Sequence, residues 1–294
     1  MPTGKGSGED DGVFPRTVKH FEGSTTLTTA PKRVVVISTG QADALLTLGV
    51  VPVASTAGDG ADLIPSYLTG AFPKDAEALA AVTNVGNRFA PDIETIATAK
   101  PDLILMNIAG KDADTLYASL SKIAPTVATQ GTGLYWKQDF LLLADAVGKT
   151  QQAETWLTTY QNDAKAFGKT VEGAPSVSFL RYNADRLRVF GVASFPGSVA
   201  EDAGLDRPDA QDFTDDTSQD ISSEQLALAD GDHLYAGVQG GDRTKVTGLA
   251  LWPTLDVVDQ KQVTFVDDDV FYLNTGPTAA QAVLDKLEQT LPTQ

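Results

Sequence analysis

The 294-residue sequence has no cysteine, two histidines and two methionines. Disulfide frameworks, thiolate nucleophiles and cysteine-built zinc or iron–sulfur sites are thereby excluded. The lack of cysteine does not fix a compartment. Positive charge is scarce as well: 22 Lys and Arg stand against 39 Asp and Glu, for a formal net charge of -17. A surface of that sign repels phosphate backbones, so no nucleic-acid partner is expected. No apolar run approaches the ~20 residues that span a bilayer.

What is present is an alternation of short strands and helices. Residues 33–38 are a β-branched run ending at Thr39-Gly40, and residues 42–48 follow with helical spacing and stop at Gly49. A short strand is predicted over 51–55, a helix over 91–100, a buried strand over 103–107 and an amphipathic helix over 112–123. This order argues for an α/β lobe with a parallel sheet. Residues 138–147 read as helix, and 150–171 as a longer one with an apolar stripe at helical period (Ala153, Trp156, Leu157, Tyr160, Ala164, Phe167). At about 22 residues it measures roughly 33 Å, long enough to link two lobes. Gly173-Ala174-Pro175 ends it.

A second α/β run follows, with strands over 176–181, 188–190, 233–236 and 263–266, a helix over 199–203, and a closing helix over 277–291 begun by Pro277. The halves echo each other: Glu94 opens a helix leading to Asp102-Leu103-Ile104, and 130 positions later Glu224 opens one leading to Asp232-His233-Leu234. The expected fold class is α/β: two Rossmann-like lobes with parallel sheets, joined by one long helix, with a ligand cleft between lobes. The expected domains are a disordered tether (1–16, rich in Gly, Ser and acid), an N-terminal lobe (17–147), the linking helix (148–173), a C-terminal lobe (174–276) and a terminal helix (277–294).

Enzymatic chemistry finds no foothold. Gly58-Asp59-Gly60 lacks the third glycine of a dinucleotide loop, and Gly237 is followed by Asp242 where a Walker loop places Gly-Lys. Ser38, between Val36 and Gly40, fails the nucleophile-elbow pattern. His20 lies near the flexible start and His233 in a buried strand, where a core histidine is expected. The run Asp267-Asp268-Asp269 lacks the alternating ligands and glycine of a calcium loop and reads as a solvated turn. No catalytic residue, resident metal or cofactor is expected.

The run Val85-Gly86-Asn87-Arg88-Phe89-Ala90-Pro91-Asp92-Ile93-Glu94, continuing to Lys100-Pro101-Asp102-Leu103-Ile104, resembles the substrate-binding proteins of ABC importers for siderophores, haem and cobalamin. An Arg three residues before the Pro is closest to the ferric-hydroxamate branch. Pro31-Lys32-Arg33-Val34-Val35, Ser194-Phe195 with Gly204-Leu205 and Pro208, Ile221-Ser222-Ser223-Glu224 and Val266 to Leu273 extend the resemblance over residues 17–291. It implies an exported monomer, either a lipoprotein on a Gram-positive surface or a periplasmic protein. Such a protein binds a ferric siderophore in the cleft and hands it to an ABC permease. Haem or cobalamin is the alternative cargo.

The siderophore saturates its own iron, so the resemblance implies a cradle of guanidinium and ring faces. Arg88 matches the family arginine, and its planar fork suits hydroxamate oxygens, the competing reading being a surface ion pair. Arg181 stands where a second pocket arginine is often found, with Arg186 and Arg188 near enough to contend. Tyr272 competes with Phe271 for an aromatic contact. Trp136 is read either as an exposed pocket indole or as core, and Phe195 and Thr39 are placed near the cleft. Trp156 and Trp252 read as core. Glu94 and Glu224 match the acids that dock on permease arginines, a role compatible with stabilising a helix N-terminus.

Overall fold

A computed structural model describes residues 1–58 and 62–293. Asp59 and Gly60 of the rejected dinucleotide loop lie outside the described residues. The chain divides into two units, residues 1–158 with 274–278, and residues 159–273 with 279–294.

Unit 1 opens with an antiparallel pair, β1 (Arg16–His20) and β2 (Gly23–Leu27), which the sequence patterning did not reveal. Its main sheet contains β3 (Val34–Val36), β4 (Ala54–Ala57), β5 (Thr83–Asn87), β6 (Ala90–Pro91), β7 (Leu103–Asn107) and β8 (Thr126–Thr129), in the order β6-β5-β4-β3-β7-β8. Every pairing is parallel except β5 with β6. β3 and β7 are continuous apolar runs because helices cover both faces of a parallel sheet. The helices of this unit are α1 (Gln41–Thr47), α2 (Ser66–Ala71), α3 (Ala76–Ala80), α4 (Ile93–Thr98), α5 (Ala113–Leu120) and α6 (Trp136–Ala146). Val35, Ile104 and Met106 from the sheet meet Ile96 of α4 and Leu120 of α5 in one core.

α7 (Thr150–Gly168) carries the chain from unit 1 into unit 2. It ends three residues before the predicted stop because Thr170 turns back, its N–H and hydroxyl both donating to the Phe167 carbonyl at 2.7 Å. In unit 2, β9 (Val177–Asn183), β10 (Arg186–Phe190), β11 (Ser218–Ile221), β12 (His233–Val238) and β13 (Val263–Val266) form a sheet of order β11-β10-β9-β12-β13. The pairings of β12 with β9 and β13 are parallel, as expected, and β10 is the one reversed strand, antiparallel to both β9 and β11, so the sheet is mixed. The reason is local: Ala184 and Asp185 both adopt positive φ, closing a two-residue hairpin that reverses β10. α8 (Phe195–Asp202), the short α9 (Thr244–Thr247) and α10 (Asp256–Asp259), and α11 (Pro277–Thr290) complete the helices.

The sequence echo has a structural basis. The Asp102 carboxylate, just ahead of β7, accepts the Lys32 and Arg33 amides leading into the neighbouring β3 at 2.8–3.0 Å. The Asp232 carboxylate, just ahead of β12, accepts the Ser176 amide and hydroxyl leading into the neighbouring β9 at 2.7 and 2.8 Å. Each aspartate ties together the starts of two adjacent parallel strands.

Residues 1–16, expected as a tether, carry specific contacts to unit 1. The Arg16 guanidinium is fully buried, pairs with Asp145 at 3.1 Å, and donates to the carbonyls of Asp10, Val13 and Asp145. Ser7 donates to the same carboxylate through its amide and hydroxyl at 2.7 and 2.6 Å. A buried guanidinium needs its donors satisfied, and here the segment composed like a linker supplies the acceptors. His20 is 1 % exposed in β1, not part of a flexible start.

Candidate functional site

Open α/β sheets bind ligands beyond the carboxyl ends of their parallel strands. Thr39 follows β3, Arg88 follows β5 and Trp136 comes after β8 in unit 1, while Arg181 closes on the end of β9 and Tyr272 follows β13 in unit 2. Five of the expected residues thus occupy that edge of their own sheet. Phe195 does not belong to the group: it follows the antiparallel β10 and begins α8, whose cap is the Ser194 hydroxyl accepting the Gly197 amide at 3.0 Å.

In unit 1, Arg88 and Phe89 are the two tip residues of the β5–β6 hairpin, whose register pairs Asn87 with Ala90. The half-buried Arg88 guanidinium lies 4.4 Å from the Phe89 ring centroid, and its Nη1 is 3.4 Å from the Thr39 hydroxyl. Thr39 and Trp136 line a cavity of about 20 Å³, with Gln41, Asn107, Thr129 and Asp139 among the other walls. That is room for about one water molecule. Gly131 belongs to the same wall at φ +82, where a Cβ would come within 2.7 Å of the Asn107 side chain. Asp139 accepts the Gln130 and Gly131 amides at 3.0 and 2.7 Å, yet burial outweighs those donors and pushes its carboxyl up to about 6. Trp136, expected as an exposed indole or core, is 2 % exposed and meets Trp156 edge-on at 6.5 Å.

Strand alternation puts Phe179 and Arg181 of β9, Arg188 and Phe190 of β10, and Tyr235 and Gly237 of β12 on one face of the unit 2 sheet. Leu180, Val189, Leu234 and Ala236 fill the opposite face with Trp252. The Tyr272 ring packs against Gly237, where a Cβ would fall 2.5 Å from it. Its hydroxyl donates to the Tyr235 carbonyl at 2.7 Å, and its ring sits 4.8 Å from Phe190. Burial raises its phenol far above the ordinary value. Phe271, its competitor, is 2 % exposed and stacks on Tyr235.

Arg181 donates both arms to Asp268, at 2.7 and 2.6 Å, with its side chain 7 % exposed. The aspartate run read as a solvated turn is corrected here: its middle member is a buried arginine's counter-ion. Arg186 pairs with Asp220 in solvent at 2.8 Å. Arg188 stands directly across from Arg181 and has only the neutral Asn183 as side-chain acceptor, at 2.6 Å, while its Nε has no partner among the described residues. Burial, then the charges of Arg181 and Arg186, lower it to about 10. Glu94 and Glu224 are both exposed in a first helical turn, one behind the Asp92 cap and the other beside a Ser222–Gln225 capping box.

Sequence reasoning passed over two features of these sites. Phe89 is 60 % exposed, and its place at a hairpin tip was readable from Gly86 and Pro91 on either side. The Asp268 clamp joins residues 87 positions apart and left no local signal.

Comparison with known proteins identifies the family. Residues 34–269 match the family described as periplasmic binding protein. The probable siderophore-binding lipoprotein YfiY of Bacillus subtilis is 30 % identical over 93 % of this chain and 86 % of its own length. The iron(3+)-hydroxamate-binding protein FhuD of the same organism is 28 % identical over 98 % of this chain and 90 % of its own. Among solved structures, Staphylococcus aureus SirA complexed with staphyloferrin B superposes with a TM-score of 0.79 at 27 % identity, over 95 % of this chain and 99 % of SirA. With a family match across most of its length and a two-unit α/β fold shared with SirA, the chain belongs to the periplasmic binding protein family.

Proposed function

We propose that this chain is an exported, monomeric binding protein that captures a ferric siderophore of hydroxamate type and delivers it to an ABC permease. It performs no chemistry on its cargo. The observation that carries the reading is the family match over residues 34–269, joined to relatives named for siderophore and hydroxamate binding. The iron arrives wrapped by its carrier, so the protein's task is to grip chelate oxygens and hydrocarbon from outside.

Arg88 is the primary donor, with Thr39 beside it and Trp136 in the cavity wall. In unit 2, Arg181 and Tyr272 are the residues that meet the chelate. Glu94 and Glu224 are the permease contacts, and their exposure in first helical turns supports that role.

The test is titration of purified protein with ferrioxamine B, ferric citrate, haemin and cobalamin, followed by quenching of its three tryptophans. Saturable quenching by ferrioxamine B, weakened roughly tenfold or more in R88A, is the expected result. Saturation by haemin or cobalamin with no response to either ferric chelate would overturn the assignment.

A further inference from the structure

Phe89 stands apart on the surface of unit 1. At 60 % exposure it exceeds the other exposed large apolar side chains among the described residues, which range from 36 to 43 %. The backbone beneath the ring is held in place. Asn87 Oδ1 accepts the Phe89 amide at 2.8 Å, Asn84 Oδ1 accepts the Gly86 amide at 2.8 Å, and the Val85 carbonyl accepts the Asp92 amide at 2.8 Å. Two side chain–backbone turns and a strand pairing therefore fix the tip. A ring carried on a fixed backbone needs no reordering of the loop when it is covered, which is the economy of a preorganised contact.

Its neighbour gives the contact a chemistry. The Arg88 guanidinium covers part of the Phe89 ring at 4.4 Å, a cation–π arrangement that orients the planar fork. The tip therefore presents hydrogen-bond donors and bare hydrocarbon side by side. A ligand matching both has oxygens bordered by methylene chain, whereas a small chelate that is polar all round satisfies the arginine alone.

Building on the siderophore reading, we propose that Phe89 is a specificity-determining contact, packing on the alkyl spacers of the chelate while Arg88 holds its oxygens. The substrate class selected is a ferric hydroxamate with hydrocarbon linkers between its chelating groups, in preference to a ferric polycarboxylate.

The experiment compares wild type, F89A and F89L in titrations with ferrioxamine B and with ferric citrate, by tryptophan quenching and calorimetry. F89A is expected to bind ferrioxamine B roughly five- to tenfold more weakly, as the loss of a partly covered ring implies. Ferric citrate binding should change less than about twofold, and F89L should recover part of the loss through its own apolar area. An unchanged melting temperature follows from the exposure of the ring and separates this effect from misfolding. Equal weakening for both chelates overturns the proposal, since Phe89 would then only position Arg88. So does unaltered affinity combined with lost transport in cells, which would make the ring a permease contact. If wild type binds neither chelate, the siderophore reading falls and this one with it; if wild type binds and F89A matches it, this inference alone falls.

Discussion

Acidification should loosen unit 1 at His20, and the hydrogen bonds around that ring determine by how much. Its Nδ1 accepts the Glu22 amide at 3.2 Å, which assigns the proton to Nε2. Nε2–H then donates to the Thr25 hydroxyl at 2.9 Å, and that hydroxyl donates to the Thr126 carbonyl of β8 at 2.7 Å. A second proton would abolish the Glu22 bond and place a cation in a site that is 1 % exposed. Burial, helped by the charge of Lys5, accordingly lowers the imidazole from 6.5 to about 4. Between these values the unfolded chain binds a proton that the folded chain refuses, so stability falls as pH falls through the interval. The loss reaches about 2.5 kcal/mol near pH 4.5.

The wild-type curve alone will hide this. Asp139, raised from 3.8 to about 6, holds a proton when folded that it releases when unfolded, so its contribution rises as pH falls over nearly the same interval. The difference between wild type and H20Q removes the Asp139 contribution, because glutamine keeps a donor near Thr25 and does not titrate. Urea unfolding at pH 7.5 and 4.5 should show the gap between the two proteins moving by about 2–3 kcal/mol in favour of H20Q at the lower pH. The two histidines give two imidazole C2 proton signals, so each midpoint can be read by NMR. A His20 midpoint at or above 6.5 would refute the reasoning, and so would a gap that does not move.

Three further outcomes are expected. Asp268→Ala strands the buried Arg181 guanidinium and should cost about 3–5 kcal/mol in urea unfolding, whereas Asp220→Ala, removing the exposed partner of Arg186, should cost less than about 1 kcal/mol. Asp102→Ala and Asp232→Ala should each cost about 1–2 kcal/mol, since water replaces their acceptors only in part, and the double variant should show a simple sum because the residues lie in different units. E94A and E224A should leave chelate affinity unchanged while reducing uptake by cells carrying the permease. A loss of affinity equal to the loss of uptake would count against docking.

The two-part α/β organisation was legible because it rests on local signals. Unbroken apolar runs such as residues 103–106 mark strands covered on both faces, and the stripe from Ala153 to Phe167 marks α7. The internal echo was legible for a sharper reason: Asp102 and Asp232 perform the same hydrogen-bonding task, so the same residue recurs at the same distance from its helix. What escaped depended on distant partners. Residues 1–16 have the composition of a linker, and only the burial of Arg16 against Asp145, 129 positions away, shows why they lie down on unit 1. The reversal of β10 turned on two non-glycine residues at positive φ, which sequence patterning does not anticipate.

For the site, the environments of the expected residues were not legible. Trp136, Phe195 and Tyr272, expected to offer ring faces, are 2, 3 and 8 % exposed, and Tyr272 has its hydroxyl committed to the Tyr235 carbonyl. Such rings shape a wall more than they offer a face. The charges show the same pattern. Of the three arginines on the β9–β10 hairpin, Arg181 and Arg186 are paired with Asp268 and Asp220, while Arg188 has no carboxylate hydrogen-bonded to it among the described residues. A neutral or weakly charged cargo is consistent with this arrangement, because one partly desolvated guanidinium, with Arg181 already held by Asp268, is a poor trap for several carboxylates at once. It follows that D268N should strengthen binding of polycarboxylate chelates relative to ferrioxamine B, by freeing a second guanidinium, and competition between the two ligands on that variant would reveal the shift.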